Sequence, residues 1–225
     1  PVRGARKIIA ERMRDSLATT AQLSLVSAFD ASSILDFRAG RRRNQRERSE
    51  LIPTVTDIIV FEAARSLLEH RQLNAHYLGD SIAYFDHVDM GIAVDTPKGL
   101  LVPVLRKADT LALGGISEAI AELSERARQG RIDPGLLHGS TFTVTNMGTM
   151  GIEVFTPILN PPEVAILGIG APVLRPVERE DGLRHIRSIG LSLTIDHQAV
   201  DGGPAARFLQ TLVSRLEHHP GHVEE

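Results

Sequence analysis

Leu191, Leu193 and Ile195 alternate with smaller or polar neighbours and run directly into Asp196-His197-Gln198-Ala199-Val200-Asp201-Gly202-Gly203. A period of two marks a half-buried strand, and the glycine pair marks a tight turn at its end. The chain therefore has to build a sheet in which one strand delivers a histidine to an edge. Imidazole titrates near neutrality, so His197 is a candidate general base. Pro204 then suits the first turn of a closing helix that runs to about His218.

The rest of the chain alternates irregularly between the two periodicities. Residues 4–19 are predicted helical, with Ile9, Met13 and Leu17 at i, i+4 and i+8. Leu23 to Phe29 is predicted extended, and Ala31 to about Arg48 helical. Within the latter, Arg38, Arg41, Arg42, Arg43, Arg46 and Arg48 form a charge run. A solvated helix face is the expected reading, ahead of a site for substrate phosphates. Pro53-Thr54 supplies a helix start for 54–70, with Ile58, Ile59, Ala63 and Leu67 on its apolar face. Strands Val88–Val94 and Leu100–Arg106 flank the turn residues 95–99, which include Lys98, as a hairpin. A helix from Ser117 to Gln129 stops at Gly130, with Ile116, Ile120, Leu123 and Ala127 facing a sheet. Strands recur at 141–146, 164–170 and 187–195. Strands and helices interspersed this way predict a mixed-sheet α/β sandwich over a doubly wound sheet.

Composition bounds the function. The 225 residues are expected to form a single domain, and 42% hydrophobic with 24% charged residues fits an ordinary globular protein. A net charge of −3 argues against a general nucleic-acid binder. No apolar run reaches the length of a membrane span. The absence of cysteine excludes disulfides and thiolate ligands, and no metal site is expected. His218, His219 and His222 lie near the C-terminus, where solvent exposure is the expected state.

A second constellation stands upstream: Gly139-Ser140-Thr141-Phe142-Thr143-Val144-Thr145-Asn146-Met147-Gly148, then Gly151-Ile152 and Asn160-Pro161-Pro162-Glu163. With the histidine turn, these segments resemble the catalytic domain of the dihydrolipoamide acyltransferases, the core components of 2-oxo acid dehydrogenase complexes. That family carries a Thr-Phe-Thr-x-Ser-Asn-x-Gly strand, an Asn-Pro-Pro turn and an Asp-His-Arg-x-x-Asp-Gly motif. The order and spacing match, and weaker similarity extends over nearly the whole chain. Two positions depart from the pattern. Gln198 replaces the arginine after the histidine, and Thr145 replaces the strand serine while keeping its hydroxyl.

The resemblance implies a two-layer α/β sandwich with a mixed β-sheet, like chloramphenicol acetyltransferase, and a homotrimer with active sites at the subunit interfaces. It implies acyl transfer between dihydrolipoamide and coenzyme A, with His197 as base and Thr145 of a neighbouring subunit stabilising the oxyanion. Asn146 and Gly148 are the implied substrate-binding residues, while Gly148 and Gly151 also serve a turn. Asp201, Arg12 and Gly202 are the implied supports of the site, Asp201 through a buried ion pair to Arg12 (Arg14 as second choice). A Ser-His-Asp type of triad with Asp201 is not expected, because a residue beyond the turn is poorly placed to reach the imidazole.

Only Lys7, Lys98 and Lys107 are lysines, and none has the acidic-Lys-Ala context of a lipoyl carrier. The lipoyl group is therefore expected on a separate domain, with this chain a piece of a longer protein. Implied partners are that lipoyl domain, a decarboxylating dehydrogenase and dihydrolipoamide dehydrogenase, in a bacterial cytoplasm or a mitochondrial matrix. Thr19-Thr20-Ala21-Gln22-Leu23 resembles acetoin-type bacterial members, and acetyl is the expected acyl group. The end of the chain offers Val223 as its one sizeable apolar residue, so a trimer with weak or no cubic or dodecahedral assembly is expected. The competing readings are an acetyl-CoA-dependent O-acetyltransferase and a non-catalytic scaffold, the latter disfavoured by the presence of His197.

Overall fold

The computed structural model describes residues 1–44, 51–97, 99–179 and 182–219. Five long helices and eight strands occur among them. α1 (Ala5–Thr19) leads into β1 (Gln22–Asp30), α2 (Ser32–Asn44) and α3 (Val55–Glu69). α3 opens on a reciprocal cap in which Thr54 Oγ1 accepts from the Asp57 N–H (3.1 Å) and Asp57 Oδ2 accepts from the Thr54 N–H (2.7 Å). β2 (Ala75–Tyr77) and β3 (Ile82–Tyr84) form a short separate hairpin. β4 (Met90–Ile92) and β5 (Val104–Leu105) pair antiparallel, with a further bridge between Val94 and Leu101. The expected 88–106 hairpin is thus present with a shorter ladder, and Lys98 falls outside the described residues.

α4 (Leu113–Arg128) starts four residues earlier than its apolar face predicts, because its first turn contains Gly114 and Gly115. It ends on Gly130 at φ +66°, the left-handed position that glycine fills without strain. β6 (Phe142–Asn146), β7 (Ala165–Arg179), β8 (Gly182–Asp196) and α5 (Gly202–Glu217) complete the chain.

Six strands make one mixed sheet in the order β1-β8-β7-β6-β4-β5. β6 is parallel to both β4 and β7, and the other neighbours are antiparallel. The helices pack on one face, where Leu191, Leu193, Ile195, Leu167, Phe142 and Val144 join a single buried core. The opposite face carries small residues. Segment 152–159 crosses it so closely that a Cβ on Gly170 would lie 1.9 Å from the Glu153 carbonyl oxygen. On Gly168 it would lie 2.9 Å from the Phe155 ring. β8 is therefore buried on both faces from Ser188 to Asp196, which corrects the half-buried expectation. Its alternation separates two kinds of covering: helices against the large residues, backbone against the small ones.

Two further expectations are revised, and the reading of the arginine run holds where it is described. The α1 stripe is not buried within the chain. Leu17 is 58% exposed, and Ser16 is the helix residue that packs, its hydroxyl donating to the Leu159 carbonyl at 2.7 Å. Arg41, Arg42 and Arg43 are exposed on α2, as a solvated face requires, whereas Arg46 and Arg48 lie outside the described residues. His219 is 3% exposed, although its position near the terminus pointed to solvent. Its Nδ1 sits 2.7 Å from Glu62 Oε1, and its ring meets Phe37 and Phe61 edge-on. His218 is exposed, and His222 and Val223 are outside the described residues.

The His219–Glu62 pair fastens the end of α5 to α3. Replacing His219 by Ala takes from a buried carboxylate its hydrogen-bonding partner and leaves Arg215, 3.8 Å away, and Arg65 as its nearby cations. The expected loss is about 3 kcal/mol of stability, measurable as a lower urea midpoint.

Candidate active site

His197 follows the last residue of β8. Its N–H donates to the Ala21 carbonyl at 2.8 Å, and the Ala199 and Val200 N–H groups close the turn on the Asp196 carbonyl, both at 3.0 Å. The imidazole is 46% exposed, with Nε2 free of hydrogen bonds among the described residues. Asp201 Oδ1 lies 3.7 Å from Nδ1. That is closer than the sequence implied, yet too long for the hydrogen bond a triad needs.

Asp201 is the N-cap residue of α5, and its side chain is 84% exposed. The buried Arg12–Asp201 pair therefore does not form within this chain. Arg12 instead lines a cleft of about 280 Å³ with Met13, Ser16, His76, Asn160 and Glu163. Gly202 opens α5 where an added Cβ would meet only Leu23 Cδ2 at 3.6 Å, an ordinary contact. Nothing within the chain requires glycine there.

Thr145 is half-buried near the end of β6, and its hydroxyl has no hydrogen-bond partner among the described residues. The two residues expected to touch substrate are committed to the following turn. Asn146 Nδ2 donates to Thr56 Oγ1 (2.8 Å), and its Oδ1 accepts from the Gly148 N–H (2.7 Å). A Cβ on Gly148 would lie 2.4 Å from the Gly170 carbonyl oxygen, so the glycine serves chain packing. Gly151, at φ +78°, ends the turn in the left-handed region.

Strand register fixes the relation between the imidazole and the hydroxyl. Thr145 pairs with Gly168, and Gly168 with Ser192, five residues before His197. Five residues at about 3.4 Å and two strand spacings of about 4.8 Å separate the two side chains by roughly 20 Å. They sit toward opposite ends of the same sheet. One chain does not bring them together.

Sequence reasoning passed over Glu163, although it directly precedes the apolar strand Val164-Ala165-Ile166-Leu167. It is fully buried in the cleft wall and accepts from Ser140 Oγ and from Asn160 Nδ2 (2.9 Å). Its Oε2 and the Thr143 hydroxyl are both buried without a hydrogen bond of good geometry. Burial pushes its pKa up to about 7, and the Ser140, Thr143 and Asn160 side chains pull the other way.

A raised folded-state pKa means that the stability contribution is full below the unfolded value, near 4.5, and is lost as pH rises through about 7. The difference is on the order of 3 kcal/mol. Glu163→Gln keeps the acceptor and abolishes the ionisation. Its urea midpoint, compared with wild type, should match near pH 4.5 and rise above it by pH 8.

An apolar-anchored strand thus presents an exposed imidazole at its end, on a mixed sheet with helices on one face. Chloramphenicol acetyltransferase shares the fold, at a TM-score of 0.54 and 12% identity over 92% of each chain. The family model for 2-oxoacid dehydrogenases acyltransferase (catalytic domain) matches residues 1–223. The chain belongs to that family. It is 42% identical over 217 residues to the dihydrolipoyllysine-residue acetyltransferase component of the acetoin cleaving system of Bacillus subtilis (strain 168). That match covers 96% of this chain and 54% of the relative, so the chain spans about half the length of that protein.

Solved structures agree. A probable dihydrolipoamide acetyltransferase from Listeria monocytogenes superposes with a TM-score of 0.94 at 30% identity, covering 100% of this chain and 96% of that one. The Azotobacter vinelandii dihydrolipoamide acetyltransferase, in which a serine, a histidine and an asparagine have been studied for their part in catalysis, gives 0.91 at 30% identity, over 96% and 90%. The cubic core of a pyruvate dehydrogenase multienzyme complex gives 0.90 at 31% identity, over 96% and 90%.

Proposed function

We propose that the chain catalyses acyl exchange between dihydrolipoamide and coenzyme A, with acetyl as the acyl group, at a site formed between two copies. The single observation that carries this reading is the pairing of a free imidazole and a free hydroxyl at opposite ends of one sheet, in a chain of this family. Each is a complete half-site. A second copy, packed so that its Thr145 end meets the His197 end of the first, would complete both functions at once.

An acceptor thiol has an ordinary pKa near 8.5 and is mostly protonated at neutral pH. Neutral His197 takes its proton through Nε2 as the sulfur attacks the acyl carbon. The carbonyl oxygen becomes an oxyanion and accepts a hydrogen bond from the Thr145 hydroxyl of the neighbouring copy. Collapse of the tetrahedral intermediate breaks the original carbon–sulfur bond, and the departing thiolate takes the proton back from the imidazolium. No net proton is consumed.

The unit we propose is a homotrimer, the ring that the family resemblance implies and one of the closed forms a heterologous contact can take. Exposed apolar side chains such as Leu17, Val26, Ile152 and Val154 support such packing. The expectation of weak higher assembly rested on Val223, outside the described residues, whereas the similar pyruvate dehydrogenase structure is a cubic core. The lipoyl group is carried on a separate domain, and the partners are that domain, a decarboxylating dehydrogenase and dihydrolipoamide dehydrogenase. The Bacillus subtilis relative supports acetyl as the group and a bacterial setting.

The test is to give the purified chain acetyl-CoA with free dihydrolipoamide and, separately, with chloramphenicol. Thioester formation on dihydrolipoamide is the expected result. Activity on the alcohol alone would replace this reading with O-acetyl transfer.

A further inference from the structure

We propose that Gln198 is a positioning residue for His197, clamping the histidine turn to the end of α1. The proposal rests on the reading of His197 as the base. Residues 19–21 touch three consecutive residues of the turn. The Ala21 N–H donates to Asp196 Oδ1 at 3.1 Å, and the Ala21 carbonyl accepts from the His197 N–H at 2.8 Å. The third tie is the Gln198 side chain, whose Nε2 donates to the Thr19 carbonyl at 2.8 Å and to Asp196 Oδ1 at 3.1 Å. The Gln198 N–H also donates to Asp196 Oδ1, at 3.0 Å.

Donor arithmetic explains why this residue type matters. Asp196 is a buried carboxylate that only accepts. The Thr19 carbonyl, in the last residue of α1, is one of the acceptors a helix end leaves unpaired. A side chain at 198 that serves both must bring two N–H bonds from one head group. Glutamine does so without placing a charge beside a base that must become cationic during the reaction. Arginine has the donors, while glutamate would set a third acceptor against two.

Among the described residues the imidazole makes no hydrogen bond that could fix it, so its place follows from the backbone the clamp holds. Gln22 braces the same junction from the other side. Its Nε2 donates to Ser16 Oγ (3.1 Å) and Thr20 Oγ1 (2.9 Å), and its Oε1 accepts from the Leu159 N–H (3.4 Å). Gln198 is exposed and contributes nothing to the core, which separates positioning from folding.

The experiment is steady-state acyl exchange between acetyl-CoA and dihydrolipoamide for wild type, Gln198→Ala, Gln198→Glu and Gln198→Arg, with urea midpoints for each and His197→Ala as control. Displacing a catalytic group by about 1 Å costs on the order of 10²-fold. Gln198→Glu should lose kcat on that scale, and Gln198→Ala less. KM for both substrates should stay near wild type, as should the urea midpoint of Gln198→Ala, whereas Gln198→Glu, which sets a second carboxylate against buried Asp196, should also lower its midpoint. Gln198→Arg should recover most of the rate lost in Gln198→Ala. Wild-type kcat in Gln198→Glu would overturn the proposal, as would losses that appear in KM, or a rate loss in Gln198→Ala that goes with a lowered urea midpoint. Full activity in His197→Ala would instead remove the base assignment itself.

Discussion

His197→Ala should lower kcat for acyl exchange by about 10²–10⁴-fold, the usual contribution of a positioned general base. The loss should appear in kcat with little change in KM, because the imidazole acts on a proton in flight and holds no part of either substrate in the ground state. The variant should fold normally. His197 is 46% exposed, its hydrogen bond among the described residues is a backbone N–H that alanine retains, and its side chain has only a 3.7 Å approach to exposed Asp201. Steady-state rates beside urea midpoints check both halves of the statement.

Thr145→Val should cost about 10²–10³-fold in kcat, the typical effect of deleting one oxyanion donor. Valine matches threonine in shape and in its preference for a strand, so β6 is preserved and the hydroxyl alone is removed. Within the chain that hydroxyl bonds to nothing described, and its loss leaves no orphaned partner. Thr145→Ser restores the donor and should return most of the rate. A valine variant as fast as wild type would leave the oxyanion without its assigned donor.

The two residues with the largest expected effects were also the most legible in the sequence. The apolar alternation into His197 and the strand 141–146 with its hydroxyl residues are local patterns, and strands form where such patterns predict them. What the chain concealed is relational. Nothing in the spacing of 52 residues between Thr145 and His197 says that they lie at opposite ends of a sheet. That follows from β8 running antiparallel to β7 while β6 runs parallel to it. The exposed Asp201 and the unpaired Arg12 belong to the same class of surprise, since an ion pair depends on which surfaces meet.

Other misses have local causes. Pro172 and Pro176 argue against a strand, yet β7 continues through them as a two-stranded arm with β8. β6 has ended at Asn146 by that point, so the outer edge of β7 needs no proline N–H. The β2–β3 hairpin is three residues a side, too short for a periodic signal. His219 was expected to be exposed because it lies near the C-terminus, whereas Glu62 on α3 supplies a buried partner that only the tertiary fold reveals. Glu163 was visible as an acid beside an apolar strand, but its burial depends on the cleft wall built by Ser140 and Asn160.

The central claim is that one copy supplies the base and another the oxyanion donor. Co-expressing His197→Ala and Thr145→Val chains with different tags, and purifying the mixed assemblies, tests it most directly. Each interface draws its histidine and its threonine from different copies, so in a mixed trimer one interface of the three, about a third, should hold both intact groups. Activity should therefore return to about a third of wild type, while each variant alone stays near background. Mixed assemblies no more active than the two variants assayed separately would place both groups in one chain and contradict the account.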